Sequence, residues 1–71
     1  MQGTLTFIFS QEVAIMCTFA GVEILKVLYC GACLEVCIGG FWFPTRIEKN
    51  NNVWELVGLR GVKLADLPVR I

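Results

Sequence analysis

The chain has 71 residues, of which 56% are apolar and 17% charged; six Lys plus Arg balance six Asp plus Glu, and there is no histidine. That length holds one domain, 1–71, and excludes a two-domain enzyme; the apolar share excludes disorder, and zero net charge gives no pull toward a phosphate backbone, so no nucleic-acid partner is expected. Without histidine, His-dependent triads, zincin motifs and Cys–His zinc fingers are excluded, and the protein reads as not an enzyme.

In chain order, Met1-Gln2-Gly3-Thr4 lacks the basic region of a secretory leader, and charges break the apolar sequence into uncharged runs of eleven or fewer. A spanning helix needs about 20 apolar residues. The expectations are therefore no transmembrane span and a cytoplasmic location, where cysteines stay as thiols or metal ligands. Turn-forming residues recur at Gly3, Ser10-Gln11, Ala20-Gly21, Cys30-Gly31, Gly39-Gly40, Asn50-Asn51-Asn52 and Arg60-Gly61, a rhythm typical of all-β chains.

Between these marks the alternation is legible. In Thr4–Phe9, Leu5, Phe7 and Phe9 share one face; in Glu12–Phe19, Val13, Ile15, Cys17 and Phe19 form the inward set, with Gln11-Glu12 as a tight hairpin connection. Val22–Tyr29 is apolar on both faces, and Glu23 and Lys26 are also spaced for one helical turn, so a helix around residues 22–38 is the alternative there. From Phe41 to Lys49, Phe41, Phe43 and Ile47 read as inward, with Trp42, Arg46 and Glu48 outward. Asn50–Asn52 then turns the chain into Val53–Leu59. Pro44 lacks an amide donor and needs an edge or a bulge; the tail, Val62–Ile71, reads as a short strand or irregular closing segment around Pro68. The fold class is all-β: a small meander of five to seven short strands forming a sandwich or partly open barrel. The alternative is α+β with the helix just named.

Cys30, Cys33 and Cys37 are the one constellation able to carry chemistry. On a helix they line one face and, with Cys17, offer four thiolates to zinc or an iron–sulfur cluster; on a strand Cys33 and Cys37 share a face with Glu35 between them and Cys30 lies beyond the bend. Cys30-Gly31-Ala32-Cys33-Leu34-Glu35-Val36-Cys37 resembles the later part of the bacterial ferredoxin cluster motif, with Val27 where the first cysteine falls and Ile38 in place of the final proline. That resemblance implies an iron–sulfur cluster on these thiols. Gly21-Val22-Glu23-Ile24-Leu25 with Cys30-Gly31-Ala32-Cys33-Leu34 resembles the strand and cysteine turn of DsrE-like sulfur-relay proteins. It implies a thiol persulfide carrier using Cys30 or Cys33 in a layered α/β domain. Buried thiols packing as small hydrophobes, with no cofactor, are the leading reading of the cysteines.

Phe41, Trp42, Phe43, Arg46 and Trp54 are the interaction candidates, because aromatic and arginine side chains dominate interface energetics. Trp42 and Trp54 are expected as an exposed cross-strand patch or, equally, as a second core layer. A mean hydropathy of +0.70 in so short a chain favours self-association or a permanent partner. The sequence therefore reads as a small non-catalytic assembly or interaction module, acting as a homo-oligomer or as a subunit beside other proteins. The alternatives are a cysteine-ligated metal protein, a thiol or persulfide carrier, and a peripheral subunit docked on a membrane complex.

Overall fold

Runs of β-branched and aromatic residues between tight turns build two three-stranded meanders. The first is β1 (Gln2–Ile8), β2 (Glu12–Phe19) and β3 (Val22–Leu28); the second is β4 (Cys33–Ile38), β5 (Phe41–Asn50) and β6 (Val53–Leu56). A three-residue strand, β7 (Pro68–Arg70), lies between them, giving the order β3-β2-β1-β7-β4-β5-β6 with antiparallel pairing throughout. The computed structural model describes residues 1–8 and 12–71, apart from the side chains of residues 14, 18 and 19. Phe9, the Ser10-Gln11 turn and the facing expected of Phe19 lie outside the described residues.

One side of the curled sheet carries the core. Leu5 stands opposite Ile15, Val36 opposite Val69 and Ile47 opposite Leu56, and all six are buried. Val13, Leu28 and Leu34 extend this layer along β2, β3 and β4, and Leu64 and Leu67 close it from the segment that follows β6. Each such aliphatic side chain stabilises the fold by about 1.5–3 kcal/mol through removal from water. The closing segment is tied down at the centre: Leu5 N–H donates to the Leu67 carbonyl at 2.9 Å and Asp66 N–H donates to the Leu5 carbonyl at 3.0 Å.

β3 and β6 end the sheet, so the protein is an all-β, partly open barrel. Residues 22–38 form β3, a turn and β4 rather than a helix. Glu23 pairs with Thr18 and Lys26 with Ile15, which puts the two charges on opposite faces of β3, where a helix would have stacked them on one. Pro44 sits where its chemistry requires, because β6 pairs with β5 only from Ile47 to Asn50 and leaves that side of Pro44 without a ladder neighbour.

β5 corrects one inward reading. Phe43 stands opposite Val36 and Phe41 opposite Ile38, so both do face the core side, yet they are 40% and 70% exposed. Alternation sets the direction of a side chain but not whether anything covers it, and full burial in β5 is confined to Ile47. The accessible surface, 4804 Å² for a 7.9 kDa chain, exceeds the roughly 4,400 Å² expected of a folded monomer of this mass.

Candidate functional site

The outer face of β4, β5 and β7 is built by the same alternation that forms the core. With Leu34 and Val36 buried, Cys33, Glu35 and Cys37 must turn outward. Across the ladders, Glu35 meets Pro44 on one side and Arg70 on the other, Cys37 meets Trp42 and Cys33 meets Arg46. Arg70 is the hub of this face. Its Nε donates to Glu35 Oε1 at 3.0 Å, and its guanidinium carbon lies 4.1 Å from the centroid of the Trp42 ring. Beside it is a shallow depression of about 340 Å³, lined among others by Cys33, Glu35, Pro44, Thr45 and Ile71.

The other expected interaction residues are placed differently. Arg46 is exposed on the outer face, its guanidinium 3.8 Å from Glu48. Trp54 stands opposite Lys49, whose Nζ lies 5.6 Å from the ring centroid, and packs against the core from β6. Ile47 and Leu56 share that side of the sheet, so Trp42 and Trp54 occupy opposite faces and form no common patch. Trp54 instead helps line a groove of about 490 Å³ along β6 and the loop beyond it, with Leu59, Arg60 and Val62.

The four cysteines are dispersed, and the expectation of buried thiols is corrected: Cys30 and Cys33 are exposed and Cys17 and Cys37 only half-buried, because the turn and the outward positions of β4 leave them uncovered. Cys17 lies half-buried on the core side of β2 opposite Ile24; Cys33 and Cys37 are outward on β4; Cys30 is in the preceding turn, where its Sγ accepts the Lys49 N–H at 3.4 Å. Among the described residues, no three His, Cys, Asp or Glu side chains are grouped to hold a metal. The strand geometry is the reason: Cys33 and Cys37 share a face but are two residues apart on each side of Glu35, and the bend at Gly31 takes Cys30 off that line. The layered α/β fold implied by the sulfur-relay resemblance is replaced here by strands.

A second feature lies at the far edge of the sheet. β3 has β2 on one side and, among the described residues, no strand on the other, and Val22, Ile24 and Leu25 are exposed along it at 63%, 40% and 49%. Glu23 and Lys26 are its only charges.

The class of protein is thus a small antiparallel β-domain with an uncovered apolar edge strand and a separate polar outer face. By sequence, the chain belongs to the family described as Domain of unknown function (DUF5348), whose model matches residues 8–71. It is 32% identical to a protein from Ruminococcus gnavus whose crystal structure was determined as a structural-genomics target, with a TM-score of 0.79 over 100% of both chains. No curated protein matches the chain. Among the described residues no helix is long and apolar enough to cross a membrane.

Two features escaped sequence reasoning. Arg70 and Glu35 are 35 residues apart and meet only because the tail inserts beside β4, which no local pattern signals. The uncovered edge had only a partial signal: Val22–Leu28 carries a single lysine and no proline, few of the residues that ordinarily blunt an exposed edge, whereas its apolar character on both faces pointed instead to a strand covered on both faces.

Proposed function

We propose that this protein is a non-catalytic assembly module that works as a homo-oligomer, with β3 of one copy pairing to β3 of another. The observation that carries this reading is the unpaired, apolar edge of β3. An exposed strand edge presents unsatisfied N–H and C=O groups, and soluble proteins ordinarily blunt it with charge, proline or a bulge. β3 has no proline, and Glu23 and Lys26 are its only charges. Antiparallel pairing about a two-fold axis at Leu25 sets Leu25 against its own copy, Lys26 against Ile24 and Glu23 against Val27, so no like charges meet.

The test is native mass spectrometry with sedimentation velocity on the wild type and on Leu25→Lys. The expected result is an oligomer for the wild type and at least about tenfold weaker association for the variant, with unchanged far-ultraviolet circular dichroism. A wild type that stays monomeric at its highest soluble concentration overturns the proposal, as does a variant that associates equally well.

A further inference from the structure

We infer that the free end of the Arg70 guanidinium is a recognition site for a carboxylate presented by a partner protein. The site is distinct from the β3 edge, three strands away at the middle of the sheet, and does not rest on self-association.

The argument begins with the donor inventory of arginine. A guanidinium carries five N–H donors in a rigid plane and accepts nothing. Of these, the Nε–H is committed to Glu35, and the plane is held against Trp42. No described residue accepts from the two terminal Nη groups, and the Arg70 side chain remains 40% exposed. Glu35 and Trp42 therefore fix the orientation of the group and leave the bidentate edge open, which removes most of the conformational entropy that an ordinary surface arginine loses on binding.

The chemistry of the occupant follows from charge and shape. Two parallel N–H donors match the two oxygens of a planar carboxylate. Glu35 already offsets much of the positive charge, which disfavours a dianionic phosphate relative to a monoanion. The adjoining depression is lined largely by apolar groups, including Pro44 and Ile71, and so accommodates the aliphatic neighbours of an acidic residue in a peptide segment. Tryptophan and arginine together at one spot are also the residue types that concentrate binding energy at protein interfaces.

The probe is a blocked peptide, N-acetyl-Ala-Leu-Glu-Pro-Ala-amide, titrated into the uniformly labelled full chain and followed by nuclear magnetic resonance; its counterpart carries Gln in place of Glu. The expected result is movement of the Arg70 Nε–H and Trp42 indole N–H signals, with the Glu peptide binding at least about tenfold tighter than the Gln peptide. Arg70→Lys, which keeps the charge but loses the fork, is expected to weaken binding about tenfold while preserving the dispersed spectrum. Equal response to the two peptides, or no movement of the two signals, overturns the inference. Inorganic phosphate that binds tighter than the Glu peptide overturns it in favour of a phosphate site. The Leu25→Lys protein is expected to bind the Glu peptide as the wild type does; lost binding there would show that the site depends on oligomerisation and overturn its independence.

Discussion

The two meanders share one architecture and treat their surfaces in opposite ways. In β4–β6 and the adjoining β7, several outward side chains engage one another through polar contacts: Glu35 with Arg70, Arg70 on Trp42, and Arg46 beside Glu48. In β1–β3 the outermost strand carries exposed Val22, Ile24 and Leu25, with no strand beyond it among the described residues. The difference teaches that the fold itself needs only the shared core side; what each half places on its remaining surface is left to association and recognition.

Substitutions can break that comparison or sharpen it. The largest effects belong to the core the halves share. Ile15→Ala in β2 and Ile47→Ala in β5 are each expected to cost about 2–5 kcal/mol, and urea denaturation should show one transition shifted by either change. Separate transitions, each sensitive to one substitution, would mean the halves fold independently. Gly3→Ala belongs in the same class, at about 3 kcal/mol, because a Cβ at that position would run into the main-chain carbonyl of Met16 on β2.

Next comes the edge. Leu25→Lys should weaken self-association at least about tenfold, or about 1.4 kcal/mol, whereas Val53→Lys on β6, the opposite end of the sheet, should leave it unchanged in the same sedimentation measurement. Equal effects from both would erase the distinction between the two edges. Arg70→Ala is expected to cost about 1 kcal/mol in thermal denaturation, since both the ion pair and the cation–π contact are partly exposed, and to change Trp42 fluorescence.

The smallest effect compares the two hairpin turns. Ala20 and Gly21 join β2 to β3 with φ values of 52° and 79°, and Asn51 and Asn52 join β5 to β6 with 52° and 63°. Both pairs lie in the left-handed region that asparagine and glycine tolerate better than alanine. Ala20→Asn should therefore stabilise the protein by about 0.5 kcal/mol, measured as a raised denaturation midpoint.

Much of this was legible before the structure. The turn at Asn50–Asn52, the alternation of Leu5 with Ile15 across the first hairpin, and the shared face of Cys33 and Cys37 on a strand all follow from period-two patterning and turn chemistry, whereas the expected burial of the thiols does not hold for Cys30 and Cys33. What patterning cannot carry is coverage and long-range pairing. Phe41 and Phe43 point to the core side as alternation requires, yet remain exposed, and Trp42 finds Arg70 rather than Trp54. The helix alternative for 22–38 arose because a run apolar on every face satisfies either period; pairing to β2 decided it.

β7 contributes only three residues, but they sit at the middle of the sheet and are the last of its strands to be synthesised. Both meanders therefore precede it in the chain, each with an inner edge that the same short segment fills. The decisive contacts span nearly the whole chain, as when Gln2 meets Arg70. Such non-local closure is slow, and during the delay two open half-sheets face other nascent chains. A chain interrupted before Pro68 would keep nearly all these strands and lose the one that makes them a single sheet, so the presence of residues 68–70 becomes a direct condition of folding.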